Sequence, residues 1–202
     1  MTSICKHRRS WWCDVETLAR ALLPIILIIQ FLLALFACGG KAFAQDSSPS
    51  QYQVEAAFLY NFGKFIEWPT NAFADDRAPL VIGVYGGDSF HGDLERIVAH
   101  KSINGHPLAV QQFSALSDLK DCHILFVSVA GQKQAADILN TLHDSSVLIV
   151  TENMNHFAES GFMINFFMKD EKIRFEINDT AATQAGLKIS SKLLALGRRP
   201  ER

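Results

Sequence analysis

The sequence predicts an α/β domain of three layers: a mixed, mostly parallel sheet, helices on both faces, and an antiparallel hairpin at its C-terminal end. Two observations predict it. Short apolar strand-like runs alternate with helical patterns from Leu80 to Val150, which is the order of a parallel sheet with crossover helices. Then two runs of period two meet across Lys169, Asp170 and Glu171. Phe162, Ile164 and Phe166 share one face of the first run, and Met163, Asn165 and Phe167 the other. In the second run Ile173, Phe175 and Ile177 share a face, opposite Arg174, Glu176 and Asn178. Such alternation marks a half-buried antiparallel pair.

The chain has 202 residues, and its first 44 read as a targeting segment. Arg8, Arg9 and Arg20 form a basic region, Ala21 to Cys38 is a nearly unbroken apolar run, and Ala42-Phe43-Ala44 is a small-x-small cleavage pattern. The apolar run is also close to the ~18 residues of a membrane span, so an uncleaved inner-membrane anchor is the alternative. On either reading the basic flank places the following domain across the membrane, in the periplasm. Residues 45–50 read as a disordered leader, residues 51–197 as one domain, and residues 198–202 as a loose tail.

Five of the 19 basic and two of the 21 acidic residues lie in the first 44, leaving 14 against 19 and a net charge of −5 beyond them. Beyond residue 44 no basic run precedes Arg198-Arg199, so nucleic acid is not an expected partner. Three of four cysteines lie in the targeting segment. Only Cys122 follows it, so no disulfide is expected within the mature chain. A buried, inert thiol is the plain expectation for Cys122; a redox or intermolecular thiol is the sharper one.

The elements follow in order. Tyr52 to Trp68 reads as a helix with Val54, Phe58, Phe62 and Phe65 on its apolar stripe. Gly63 within it points to a close backbone approach, and Trp68-Pro69 ends it. Leu80–Tyr85 is a buried strand, followed by Gly86-Gly87 and a helix capped by Asp88 or Ser89 and carrying Phe90, Leu94, Ile97 and Val98. Asn104-Gly105 is a turn. Leu108 to Phe113 is a strand, Ser117 to Leu119 a helical turn, and His123 to Val129 a central strand. A helix spans Ala135 to Leu142 and a strand Val147 to Val150. After the hairpin, Asp179 caps a short helix ending at Gly186, and a final helix runs from Ser190 or Ser191 to Gly197.

Chemistry is sparse. Gly86 and Gly87 between a strand and a helix could present backbone N–H groups to an anion, but the spacing is not a dinucleotide or phosphate-loop fingerprint and Asp88 would repel a phosphate. The six histidines after residue 44 lack metal-ligand spacing, so neither metal nor cofactor is expected. Cys122 and His123 are adjacent, hence on opposite sides of a strand and not a nucleophile–base pair. No catalytic constellation is legible, and the expectation is a protein that is not an enzyme. The row Arg174, Glu176 and Asn178, with Asn165 on the neighbouring strand, is the best polar constellation. It reads either as a solvated outer face or as a partner- or ligand-binding face in which Arg174 offers a planar donor fork.

Four segments together resemble the YfiR-like family, formerly a domain of unknown function. They are Tyr52 to Pro69, Ile82 to Gly86, Leu116 to Ser128, and the block from Gly161 to Leu194. The resemblance spans about residues 51–196. It implies an exported protein without known catalysis that binds the periplasmic part of an inner-membrane diguanylate cyclase and holds it inactive. Release raises cyclic di-GMP and favours biofilm. Some members carry redox-linked disulfides; here Gly83 looks to stand at the family's strand cysteine, opposite Cys122, which argues against intramolecular redox gating. A homodimer is a further expectation, since sheet edges invite self-pairing. The alternative is a periplasmic small-ligand-binding module with no cyclase partner. For the inhibitor reading, Phe side chains left exposed on the first helix and Arg174 are the expected anchors.

Overall fold

The computed structural model describes residues 50–200. The targeting-segment readings therefore lie outside the described residues. No helix among those residues is long and apolar enough to cross a membrane.

Helix α1 (Gln51–Phe65) begins with a capping box: Ser50 Oγ accepts from Gln53 N–H, and Gln53 Oε1 accepts from Ser50 N–H, each at 3.2 Å. Ser50, expected in a disordered leader, is thus the helix cap. The chain leaves α1 at Ile66 into β1 (Ile66–Glu67), which pairs antiparallel with β9 (Lys188–Ile189). The helix thus stops before Trp68, where the pre-proline position had been expected to end it.

The main sheet contains β2 (Leu80–Tyr85), β3 (Ser102–Ile103), β4 (His106–Phe113), β5 (Ile124–Val127), β6 (Leu148–Glu152), β7 (Ile164–Lys169) and β8 (Lys172–Ile177). Its order is β3-β4-β2-β5-β6-β7-β8. The five central strands are parallel, and the outer pairs β3–β4 and β7–β8 are antiparallel. The expected mixed α/β architecture is observed. The apolar runs form the inner strands because helices cover both of their faces: all of β5 and β6 is buried.

Helix α1 covers one face. Its buried stripe is Glu55, Ala56, Leu59, Phe62 and Gly63, rotated from the expected Val54–Phe58–Phe62–Phe65 line. The small residues set the rotation. A Cβ on Gly63 would lie 2.7 Å from Ile103 Cδ1, which is the close approach the glycine implied. Phe58 and Phe62 pack over the β7–β8 end of the sheet, against Phe166 and Phe175, with centroids 5.2–6.1 Å apart. Phe62 is core and Phe58 and Phe65 are half-buried against it, so among the described residues no Phe of α1 is fully exposed as an anchor.

Helix α3 (Ala135–Leu142) and the 3-10 turn before it cover the opposite face. Gln134 accepts from Tyr85 Oη at 2.5 Å, and Gln132 donates to Thr151 Oγ1 at 2.9 Å. The remaining helices are short: α2 (Asp93–Val98), α4 (Phe157–Ser160), α5 (Asp179–Gln184) and α6 (Ser191–Leu196). Asn178, not Asp179, caps α5, its Oδ1 accepting from Ala181 N–H at 3.1 Å.

The β7–β8 hairpin matches its predicted faces. Ile164 pairs with Ile177 and Phe166 with Phe175, while Asn165 pairs with Glu176 and Phe167 with Arg174. The turn is tight, with Asp170 and Glu171 both at positive φ (50° and 57°), as a two-residue type I′ turn requires.

Candidate functional site

The polar row of the hairpin is mostly buried. Asn165 and Glu176 are 2% and 7% exposed. Asn165 Nδ2 donates to Glu176 Oε1 at 2.9 Å, and its Oδ1 accepts from Met154 N–H at 3.0 Å. Arg198 donates to Glu176 Oε2 at 3.1 Å, and its guanidinium lies 4.8 Å from the Phe167 ring centroid. The backbone of Arg198 also extends the sheet: Ile177 N–H donates to Arg198 O, and Arg198 N–H to Phe175 O. So the row is not the solvated outer face that alternation suggested, and Arg198 is not part of a loose tail. Asn165 and Glu176 come together; Asn178 is spent on its helix cap. Arg174 alone of the four is exposed. A buried carboxylate held by an amide and a guanidinium fixes the hairpin against the C-terminal segment.

At the other end of the site region, the parallel order reverses between β2 and β5, because β2 continues outward to β4 before the chain returns to β5. A crevice beyond the carboxyl ends of such strands is the usual ligand position in open α/β sheets. Gly86 and Gly87 lie there, at φ 96° and 114°. A side chain on Gly86 would strike Ser128 Oγ and would sit 2.5 Å from Gly131 N. Ser128 Oγ donates to Gly86 O at 2.8 Å. The turn does not run straight into a helix, as had been expected. The N-cap of α2 is Gly92, and the Asp88 carboxylate accepts from His91 N–H at 2.9 Å.

Also near the carboxyl ends of the strands lies a carboxylate pair that the sequence did not reveal. Glu55 on α1 and Glu152 at the end of β6 are 0% and 2% exposed. Gln51 Nε2 reaches both, at 2.9 Å to Glu55 Oε1 and 3.4 Å to Glu152 Oε2. Tyr52 Oη lies 3.5 Å from Glu152 Oε1. Glu55 Oε2 is buried without a hydrogen-bond partner. Burial, opposed by the Gln51 hydrogen bond, pushes the Glu55 carboxyl up to about 7, and the Glu152 charge adds to the rise. Burial also raises Glu152, against a hydrogen bond from the Val129 backbone. Tyr52 is raised by burial and then by the two carboxylates. The signal available in the sequence was spacing: Glu55, Leu59 and Phe62 fall at i, i+4 and i+7 of one helical face.

Cys122 is 4% exposed, its Sγ 3.3 Å from Leu119 O. Burial pushes its thiol up to about 12. A Cβ on Gly83 would lie 3.0 Å from that sulfur and 2.5 Å from Phe113 Cε2. Gly83 and Cys122 thus face each other, with the Phe113 ring filling the space a second side chain would need. Among the described residues no group of three or more His, Cys, Asp or Glu could hold a metal ion.

Residues 52–198 match the sequence model of the YfiR/HmsC-like family. The chain belongs to that family. The match takes in every strand of the YfiR/HmsC-like fold described above, from β1 to β9. No curated protein matches the chain.

Proposed function

We propose that this YfiR/HmsC-like protein is an exported regulator that binds the periplasmic part of an inner-membrane diguanylate cyclase, or a similar sensor, and holds it inactive. Through that contact it restrains cyclic di-GMP synthesis and biofilm formation. It acts by binding and catalyses no reaction. The observation that carries the reading is the family match over residues 52–198. The basic, apolar and small-residue pattern of residues 1–44 supports export.

The energetic demand is definite. Moving a cyclase from 99:1 active to 1:99 takes a preference of about 5.5 kcal/mol for the inactive state. A few anchors dominate such interfaces, with Arg prominent among them. Arg174 is exposed on β8, Met168 is 50% exposed on β7 and Leu196 is 71% exposed on α6. We assign the cyclase contact to this C-terminal region. The test is cellular cyclic di-GMP in a deletion strain complemented with wild type or with Arg174→Glu. Wild type lowers the nucleotide level and Arg174→Glu leaves it high at equal protein abundance. Unchanged cyclic di-GMP on deletion would overturn the reading.

The position of Gly86 and Gly87 at the strand-order reversal favours a second reading, a periplasmic small-ligand module. Thermal shift against nucleotides and amino acids tests it, a raised midpoint supporting it and flat midpoints opposing it.

A further inference from the structure

The segment from Pro69 to Pro79 crosses the amino ends of β2 and β4 as a strap, and two histidines from the sheet hold it. Phe73 at its centre is sandwiched between two imidazoles. The His106 ring on β4 stacks at a centroid distance of 3.9 Å and 14°, and the His123 ring before β5 at 4.3 Å and 17°. Trp68 stands edge-on to both Phe73 and His123 at 6.3 Å.

The hydrogen bonds fix the tautomer of His123. Val81 N–H lies 3.1 Å from His123 Nδ1, and a backbone N–H can only donate, so Nδ1 carries a lone pair. Nε2 lies 3.1 Å from Ala72 O, which can only accept, so Nε2 carries the proton. His123 N–H in turn donates to Val81 O at 2.9 Å. The ring therefore replaces a strand carbonyl as the acceptor for Val81 and ties the strap through Ala72. Only neutral imidazole can do both. His106 is different: its Nδ1 lies 2.7 Å from Ala78 O. Nδ1 there is the donor, and a second proton on Nε2 leaves that bond intact.

We propose that His123 is an acid-sensitive latch on the strap: protonation at Nδ1 opposes it to Val81 N–H, turns the ring out of the Phe73 stack and frees Ala72, while His106 keeps its hold at Ala78. The strap opens from its Pro69 side and hinges near Ala78. The hollow beside the strap, of about 610 Å³ and lined by Ile66, Leu80 and Ile103, widens. Burial holds His123 below the ordinary imidazole range, opposed by the Ala72 hydrogen bond and helped by His106 across Phe73. The other charged groups around it are Lys120 on the 3-10 turn before Cys122 and Asp144 after α3, which line a separate hollow of about 230 Å³ together with His123. Asp144 is itself 2.7 Å from His143. The charged residues of the strap, Asp75, Asp76 and Arg77, are exposed. This inference is independent of the cyclase reading.

The sign follows from linkage. The unfolded chain takes up the histidine proton at a higher pH than the latch does, so the latched form loses stability as pH falls below ~6.5 and through the lowered folded value. The experiment is amide hydrogen exchange of the full-length chain in detergent, from about pH 7.5 to about pH 4, which brackets the imidazole range. Each rate is expressed relative to the intrinsic rate at the same pH. Protection of peptides covering residues 69–81 falls roughly tenfold, as expected for loss of two hydrogen bonds, while β6 and β7 peptides hold. His123→Asn, whose Oδ1 can still accept from Val81, removes the pH response; His106→Asn keeps it. Flat protection in wild type, or an unchanged response in His123→Asn, overturns the latch. Should His123→Asn not fold, ring nitrogen NMR on wild type decides. A lone pair on Nδ1 at neutral pH, titrating together with strap exposure, supports the latch; a proton on Nδ1 at neutral pH refutes it.

Discussion

Replacing Glu55 by Gln should stabilise the protein above neutral pH and change little near pH 4.5. Gln is close in shape to the protonated carboxyl that burial favours at this position. The Glu55 side chain is fully buried, with Oε2 unpartnered and Glu152 beside it. An ordinary glutamate titrates near 4.5, whereas Glu55 is pushed up to about 7. A raised carboxyl is held protonated by the folded state after the unfolded chain has released its proton. Stability is therefore greatest below the ordinary value and declines as pH climbs through 7. Each tenfold step in proton activity is worth about 1.4 kcal/mol, so the decline approaches a ceiling of ~3 kcal/mol. Urea unfolding of wild type and Glu55→Gln at several pH values measures it, because the difference between the two removes all other titrating groups. The advantage of Glu55→Gln should grow from near zero at about pH 4.5 to roughly 2–3 kcal/mol at about pH 8.5. A difference that does not vary with pH, or one that shrinks as pH rises, would refute the buried-carboxyl argument.

Other outcomes follow from the same geometry. Asn165→Ala should cost about 2–4 kcal/mol in denaturant unfolding, because it leaves Glu176 Oε1 and Met154 N–H unpaired in the interior. Gly83→Ala should cost about 1–3 kcal/mol, since its Cβ meets the Phe113 ring at 2.5 Å; a neutral result would show that the ring moves freely. Glu171→Gly should raise stability by about 0.5–1 kcal/mol by relieving a positive φ in the hairpin turn. Cys122, buried with its thiol pushed up to about 12, should resist alkylation in the native protein near pH 8 and react at once in urea; fast native labelling would show an exposed thiol.

The sheet was legible because its signals are local. Leu80–Tyr85 and Ala135–Leu142 emerge with their expected bounds, and the hairpin faces follow from a period of two. Gly63 announced a close approach that Ile103 makes real. Less local facts stayed hidden. Alternation puts Glu176 opposite Phe175 but cannot say whether that second face meets water; here Arg198, 22 residues on, covers it. Glu55 lies off the Val54–Phe58–Phe62–Phe65 stripe that the spacing suggested, whereas Ala56 and Gly63 decide how closely the helix sits. The Phe73 stack joins His106 at the start of β4 and His123 just before β5 through a loop without regular structure for most of its length, so no spacing rule could bring them together. Strands β1, β3 and β9 are two residues each, too short for any periodicity.

A regulatory contact with a membrane cyclase is tested by capture of the protein with its partners from solubilised inner membrane, followed by mass spectrometry. The expected result is recovery of a protein with a periplasmic sensor and a cytoplasmic diguanylate cyclase domain, lost with Arg174→Glu. Recovery of no cyclase above background, from cells that contain one at ordinary abundance, would contradict it.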